Sequence, residues 1–198
     1  MAAAHPILTP GKIFKPIELL SEGDYVAVTT KLPHESTNSA LQWQELRILG
    51  YIFLKGVFRA EHKIKPRYRK IGAELEAIAD MMILSWRKDF DGNYRFLKKR
   101  GPYKHPITSI IQQMDMYHAL REYGAKKIPS MIKDECLENI QVFLEAVFAQ
   151  FATITNQQIT LDLQHHVLAQ DFQELLLRFG IESTIEQIGD RWLLSLLD

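Results

Sequence analysis

The sequence predicts an α+β protein with two αββαββ units, preceded by a small N-terminal β segment. Two apolar helical stretches, 48–56 (ILGYIFLKG) and 144–152 (LEAVFAQFA), each end in a small residue. An amphipathic helix begins 24 residues after the start of the first stretch and 23 residues after the start of the second. A turn signal lies 43 and 45 residues after the same two points. Because the spacing repeats, we expect an internal pseudo-dimer whose apolar helices pack along a pseudo-two-fold axis.

The N-terminal β segment is expected over residues 1–32. Short β-forming runs there are interrupted by turn signals such as Pro10-Gly11, and the alternating run 25–30 is predicted to be a strand. The polar stretch 33–40 (PHESTNSA) is expected to be a linker.

The first unit is assigned to residues 41–128. Its predicted elements, in order, are a helix over 41–55, a hairpin over 57–70, a helix over 71–86 with Trp86 on its apolar face, a hairpin over 89–99 turning at Asp91-Gly92, and a helix from His105 to about Met116. Gly50 lies within the first of these helices and would let the backbone of a partner helix approach closely.

The second unit is assigned to residues 129–198. Its predicted elements, in order, are a helix over 138–151, a hairpin over 153–163 around Asn156-Gln157, a helix over 167–179, and a hairpin turning at Gly189-Asp190. Ala146 is the residue expected to meet Gly50 where the two apolar helices cross.

The composition is that of an ordinary globular protein, with 46% hydrophobic and 24% charged residues among 198. Cys136 is the single cysteine, and the N-terminus lacks the pattern of a signal peptide. No apolar run reaches the roughly 18 residues that a membrane-spanning helix needs. These features predict a monomeric cytoplasmic protein that does not enter the membrane.

The charge is divided unevenly along a chain whose formal net charge is zero. Residues 55–104 contain 14 basic and 6 acidic residues, whereas residues 129–198 contain 3 basic and 11 acidic ones. A basic stripe with interleaved aromatic residues suits a phosphate backbone. The predicted contacts to double-stranded DNA are Lys63, Lys65, Arg67, Arg69, Lys70, Arg95, Lys98, Lys99 and Arg100. The alternative is that these are solvated faces whose charge complements the acidic half.

The two apolar stretches resemble LAGLIDADG helices, the paired interface helices of a family of homing endonucleases. The first stretch matches position by position, while the second has Ala146 and Ala152 where the family has Gly. Segments 105–132 and 168–196 are similar to endonuclease domains found in inteins of replicative DNA helicases. Segment 2–28 resembles part of an intein splicing domain, with His5 at the position of a conserved block histidine.

This resemblance implies a carboxylate just before the last residue of each stretch, where the pair would hold divalent metal for DNA hydrolysis. The matching positions are Lys55 and Phe151. An ammonium group repels Mg²⁺ and a phenyl ring has no lone pair to donate, so we expect no cleavage by that mechanism. Intein splicing is also unexpected, since the chain begins with Met1 and ends with Asp198 instead of the nucleophile and the terminal asparagine.

No metal or cofactor is expected. The grouping of His165, His166, Asp162 and Asp171 lacks ligand spacing, because adjacent histidines point to different sides of a helix start. Three functions remain open on the sequence alone: an inactive DNA-binding or vestigial protein, a protein-interaction module on the same fold, and an endonuclease with relocated carboxylates such as Glu61 or Asp162.

Overall fold

A computed structural model of the chain describes residues 6–10, 13–37, 39–54, 57–58, 62–82, 86–96, 126–155 and 158–196. Elements are numbered within these ranges. The helix predicted over 105–116 lies outside them. None of the helices in these ranges has the length and hydropathy that a bilayer crossing requires.

The N-terminal segment is a two-stranded antiparallel hairpin, as predicted. Strand β1 (Pro6–Thr9) pairs with β2 (Ile13–Pro16), and a single 3-10 turn, Ile17–Leu19, follows. The strand predicted over 25–30 is wrong, because the run forms no ladder with the described residues; the Ala27 amide donates to the Leu8 carbonyl at 2.7 Å. Tyr25 and Val28 are exposed, so this alternating pattern has no core to pack against.

Residues 32–37 and 39–41, here called the strap, lie between the N-terminal hairpin and the first unit in the chain and pack against the second unit. The Leu32 amide donates to the Leu177 carbonyl at 3.0 Å, and the Leu41 amide donates to the Glu135 carboxylate at 2.9 Å. The His34 ring donates through Nε2 to the Glu135 carbonyl at 2.6 Å and accepts at Nδ1 from Arg178. The stretch expected to be a linker is therefore held in place by hydrogen bonds.

The described part of the first unit contains two helices and four short strands. In order, they are α1 (Trp43–Ile52), β3 (Val57–Phe58), β4 (His62–Ile64), α2 (Arg69–Met81), β5 (Trp86–Lys88) and β6 (Tyr94–Phe96). The Gln42 amide donates to the Glu45 carboxylate at 2.8 Å, which satisfies a donor at the start of α1. The turn between β5 and β6 falls at Asp91-Gly92 as predicted, with Gly92 at a φ of 76°.

Two boundaries in the first unit differ from the prediction. Helix α2 begins at Arg69 and ends at Met81, so the preceding hairpin is shorter than 57–70 and Trp86 lies in β5, not on the helix. Trp86 follows Met82 at a helical spacing of four, but it packs from the strand, with its ring 5.5 Å from that of Tyr94. Aromatic residues favour β-strands. At Trp86 this preference competes with the helical spacing, and the strand is the outcome.

The second unit repeats this order after a short leading helix. The elements are α3 (Ser130–Lys133), α4 (Leu137–Phe151), β7 (Thr153–Ile154), β8 (Ile159–Leu163), α5 (His166–Arg178), β9 (Ser183–Ile188) and β10 (Arg191–Leu196). The final hairpin turns at Gly189, whose φ is 63°. These positions agree closely with the predicted ones.

The two four-stranded antiparallel sheets have equivalent strand orders. The first is β3-β4-β6-β5 and the second is β7-β8-β10-β9. In each unit the strand that follows the apolar helix is one edge of the sheet, and the first strand of the last hairpin is the other. The predicted fold of two αββαββ units is confirmed.

Helices α1 and α4 pack against each other at the centre of the core. A Cβ atom added to Gly50 would lie 2.5 Å from the Ala146 Cβ and 2.7 Å from the Phe143 carbonyl oxygen, so only glycine fits this approach. Phe53 of the first unit packs edge-on against Phe143 and Phe172 of the second, at centroid distances of 5.0 and 6.1 Å. Buried residues of both units thus form one hydrophobic cluster.

Candidate nucleic-acid interface

The C-terminal ends of α1 and α4 are the places where the resemblance implies catalytic acids. Lys55 lies outside the described residues. Phe151, the last residue of α4, is partly buried and packs against the hydrophobic cluster. Phe151, which stands where the resemblance implies a catalytic acid in the second unit, therefore contributes to packing.

The loop after β4 is bonded to that end of α4. The Arg67 amide donates to the Gln150 side chain at 2.9 Å, and Gln150 donates to the Lys65 carbonyl at 2.7 Å. The Arg67 guanidinium donates to the carbonyl of Ala152, the C-cap residue of α4. A cation is favoured there, because the unpaired carbonyls carry the negative end of the helix dipole. Arg67 thus connects the first unit to the second.

No group of three or more His, Cys, Asp or Glu side chains within the described ranges is arranged to hold a metal ion. Asp162 pairs with Arg191, while Asp171 accepts from the Ile128 amide at 2.6 Å and pairs with Lys133. The His166 ring stacks on Trp192. These side chains are thus engaged separately, and Glu61 lies outside the described residues.

A row of three basic residues crosses the sheet of the first unit in register. Lys63 on β4 is the Cα partner of Arg95 on β6, and Arg95 is the partner of Arg87 on β5. Ile64 and Tyr94, which occupy the adjacent row, are buried, whereas Arg87 is exposed. Like charges directly opposite one another destabilise a sheet. This row therefore concentrates basic residues on one face of the sheet.

Arg87 was missed by the sequence analysis. A two-residue turn at Asp91-Gly92 would pair Arg87 with Phe96, whereas the observed register is shifted by one residue and pairs Arg87 with Arg95. Of the residues that were predicted, the structure places Lys65, Arg69 and Lys70 in exposed positions, the last two at the start of α2. Lys63 and Arg95 lie opposite each other on β4 and β6, and the Arg67 guanidinium donates to the C-terminal end of α4. Lys98, Lys99 and Arg100 lie outside the described residues.

The row of the second unit that matches the basic row in register is uncharged, and it is formed by Thr153, Thr160, Ser195 and Thr184. An acidic row lies two residues nearer the final turn. Asp162 on β8 is the Cα partner of Leu193 on β10, and Leu193 is the partner of Glu186 on β9. Asp162 and Glu186 are exposed. The strands of this acidic row, β8, β10 and β9, correspond to the strands β4, β6 and β5 of the basic row.

A polar network holds α1 against its neighbours on the side of Arg47. Arg47 donates to Glu74 of α2 at 2.6 Å and to Glu145 of α4 at 2.9 Å, and the Tyr51 hydroxyl donates to Glu74 at 2.6 Å. Burial on its own would raise the pKa of Glu74, but the hydrogen bonds from Arg47 and Tyr51 outweigh it and hold the pKa below its ordinary value. Burial and the Glu74 contact raise the pKa of Tyr51.

The paired helices, the two equivalent sheets and the close approach at Gly50 define a protein with the LAGLIDADG homing-endonuclease fold. Residues 137–194 match the family model described as a LAGLIDADG-like domain. The second unit therefore resembles a LAGLIDADG-like domain, and the described part of the first unit has the same element and strand order. The resemblance that the sequence predicts is confirmed.

Particular relatives support this assignment. The chain is 25% identical over 207 residues to the replicative DNA helicase DnaB of Rhodothermus marinus, covering 94% of this chain and 21% of that protein. The chain thus spans about a fifth of the length of the curated relative that it matches.

Solved structures share the fold at low sequence identity. The homing endonuclease I-DmoI, determined in complex with DNA and Mn, has a TM-score of 0.51 and 12% identity, covering 78% of this chain and 89% of that one. The N-terminal LAGLIDADG domain of DUF199/WhiA has a TM-score of 0.50 and 11% identity, covering 86% and 81% of the two chains.

Proposed function

We propose that this chain is a DNA-binding protein of LAGLIDADG fold that does not cleave DNA. The observation that carries the proposal is the basic row formed by Lys63, Arg95 and Arg87 across the first sheet. Phosphate contacts position a protein on a duplex without reading its sequence. Binding is therefore proposed to be one-sided, through the basic unit, because the acidic row repels phosphates.

The absence of cleavage is proposed from the replaced acid positions. Lys55 and Phe151 supply no carboxylate, and Arg67 brings a guanidinium to the end of α4. A positive group at that place opposes the binding of a divalent cation. An origin as a segment within a helicase intein is part of the same proposal, since the match covers most of this chain but a fifth of the helicase.

An electrophoretic titration with mixed-sequence duplex DNA at several salt concentrations tests the binding. Four or five phosphate contacts imply a slope near −4 for log K against log salt. Arg87→Ala is expected to reduce that slope by about 1, while Lys15→Ala, an exposed change on β2, leaves it unaltered. No retardation even at low salt would favour the protein-interaction module over DNA binding.

A cleavage assay with Mg²⁺ or Mn²⁺ tests the inactivity separately. The protein is expected to leave duplex DNA intact under conditions in which it lowers the electrophoretic mobility of that DNA. Metal-dependent cleavage that disappears in Glu61→Ala or Asp162→Ala would show instead that the acids are relocated. Lys55→Asp combined with Phe151→Asp is expected to restore cleavage only partly, because Ala152 stands where the family has glycine.

A further inference from the structure

Residues 65–70, here called the basic loop, span the connection after β4 and the start of α2. Four of them carry exposed basic side chains, which are Lys65, Arg67, Arg69 and Lys70. The Tyr68 side chain is 55% exposed among them. Of the exposed Phe, Tyr and Trp side chains in the part of the chain that the structure describes, Tyr68 alone has a basic residue immediately on each side. The basic loop therefore joins positive charge to an accessible aromatic surface.

Two other strongly exposed rings have acidic neighbours instead. Phe90, at the turn between β5 and β6, stands between Asp89 and Asp91 in the chain. Tyr25 follows Asp24 in the N-terminal segment. Carboxylates repel the phosphates that accompany a nucleotide, so neither ring suits a nucleic acid as Tyr68 does.

Three hydrogen bonds fix the basic loop to the C-terminal end of α4. The Arg67 amide donates to the Gln150 side chain at 2.9 Å, and Gln150 donates to the Lys65 carbonyl at 2.7 Å. The Arg67 guanidinium donates to the Ala152 carbonyl, and its Cζ atom lies 5.3 Å from the centre of the Tyr68 ring. A surface that is already ordered loses less conformational entropy when it binds. The aromatic ring is thus presented on a fixed backbone.

An exposed ring of this kind can stack on a base only where the base is not enclosed in a continuous duplex. Bases inside a duplex are covered by their neighbours, and a protein reaches them only after they leave the stack. Proteins that bind single strands combine a positively charged surface with aromatic side chains on which bases stack, and the stacking tolerates any sequence. The basic loop has both components.

We propose that the basic loop binds a single-stranded stretch of DNA. Tyr68 stacks on an unpaired base, and the surrounding basic side chains pair with the adjacent phosphates. Lys63 of the basic row precedes Lys65 by two residues, which is about 7 Å of extended chain, so duplex on the sheet adjoins single strand on the loop. This assignment rests on the DNA binding proposed above and narrows the partner to DNA with a gap or an overhang.

Fluorescence anisotropy at low salt tests this preference with two labelled DNA probes of the same sequence. One probe is a blunt duplex, and the other is the same duplex with a short single-stranded gap. We expect the gapped probe to bind about 5- to 150-fold more tightly, which is the range that stacking of one base supplies. Equal affinity for the two probes overturns this inference and leaves DNA binding standing, whereas no binding of either probe overturns the proposed function as well.

Tyr68→Ala is expected to weaken binding of the gapped probe by about 5- to 150-fold and to leave the blunt duplex unchanged. The Tyr68 side chain does not cap α2, and its carbonyl still accepts from the Ile71 and Gly72 amides, so the helix start is retained. Tyr68→Phe keeps the ring and therefore the preference. Tyr25→Ala, at an exposed tyrosine beside an acidic residue, is the matched control and changes neither affinity. An equal loss for both probes in Tyr68→Ala, or a lost preference in Tyr68→Phe, would overturn the stacking.

Salt dependence separates stacking from charge at the basic loop. Lys70→Ala removes one phosphate contact to the single strand, so the slope of log K against log salt for the gapped probe should fall by about 0.7. Tyr68→Ala removes no charge and should leave that slope unaltered. An unaltered slope when Lys65, Arg69 and Lys70 are all changed to Ala would overturn the placement of phosphates on the basic loop. An unchanged circular dichroism spectrum verifies that each variant is folded.

Discussion

Gly50 is the residue at which the two units approach most closely. Gly50→Ala would gain about 1 kcal/mol of helix propensity at an unobstructed site. Here its Cβ meets the Phe143 carbonyl, a backbone atom that cannot rotate away. We expect a net loss of about 1 to 3 kcal/mol in the free energy of unfolding, measured by urea denaturation.

Gly72→Ala is the matched control for Gly50. The added Cβ there would lie 2.8 Å from the Tyr94 hydroxyl, which is a side-chain atom and not a backbone atom. A smaller loss is therefore expected than at Gly50. Equal losses at the two glycines would contradict a special role for the helix contact.

Glu74 makes the stability of the first unit dependent on pH. Because hydrogen bonds from Arg47 and Tyr51 hold its folded pKa below the ordinary value, its contribution is complete above the unfolded pKa of about 4.3 and is lost as the pH falls through the lowered pKa. Glu74→Gln removes this titration. The stability difference between parent and variant should therefore shrink as the pH falls from about 5 to about 3.

Urea denaturation across this pH range measures the effect. Near pH 7 the Glu74→Gln variant is expected to lose about 1 to 3 kcal/mol, the cost of removing a charged acceptor from a partly buried network. Glu138→Gln, an exposed change in the first turn of α4, should cost less. A difference for Glu74→Gln that is constant from pH 7 to pH 3 would refute the assignment.

At the scale of elements, Arg67 determines how the β4 loop meets α4. Arg67→Ala removes the bond to the Ala152 carbonyl, and we expect a loss of about 1 to 2 kcal/mol in the free energy of unfolding. Arg69→Ala, two residues along and exposed, should change stability by less than about 0.5 kcal/mol. If Arg67 also contacts DNA, Arg67→Ala will flatten the slope of log K for DNA binding against log salt. An unaltered slope would show that the role of Arg67 is purely structural.

The strap depends on the buried carboxylate of Glu135. That side chain accepts from the Leu41 amide at 2.9 Å and from the Asn139 amide group at 2.6 Å. Glu135→Ala removes the acceptor of the Leu41 amide and one of the acceptors of the Asn139 amide group, which still donates to Ser39 and to the Leu41 carbonyl. The expected cost is about 1 to 3 kcal/mol. Hydrogen exchange should accelerate at Leu41 in this variant, and Glu138→Ala provides the exposed control. Unchanged exchange at Leu41 would show that the strap is held by other contacts.

Helices and strands could be predicted from the sequence where the hydrophobic pattern agrees with the packing of the folded chain. Periodicity and turn residues gave α4 and the Gly189 turn nearly to the residue, because a buried face and a positive φ leave few alternatives. The same signals misplaced Trp86, whose apolar side chain fits a helix stripe and a strand equally well. They also could not show that the polar strap would bond to the second unit, since those partners lie about a hundred residues away in the chain.

The site was predictable in charge but not in arrangement. Net charges of +8 over residues 55–104 and −8 over residues 129–198 are visible in the sequence. That Arg87 stands opposite Arg95 follows only from strand register. This register differs by one residue from the one that a two-residue turn at Asp91-Gly92 would give, so Arg87 was not predicted.

At the scale of the whole molecule, the shared core predicts a single unfolding transition. Phe53 of the first unit packs on Phe143 and Phe172 of the second, so neither unit can open without exposing the other. Variants retaining only Trp86 or only Trp192, with the remaining tryptophans changed to Phe, should report the same urea midpoint by fluorescence. Two separate midpoints would contradict a common core.

The contact at Gly50 also has a consequence in time. Its partner Ala146 lies 96 positions further along the chain. A ribosome adds about 5 to 20 residues per second, so roughly 5 to 20 seconds separate the synthesis of the two. Throughout that interval the apolar face of α1 is made but uncovered, a condition that favours aggregation. The interval ends when translation delivers α4, the helix that covers this face.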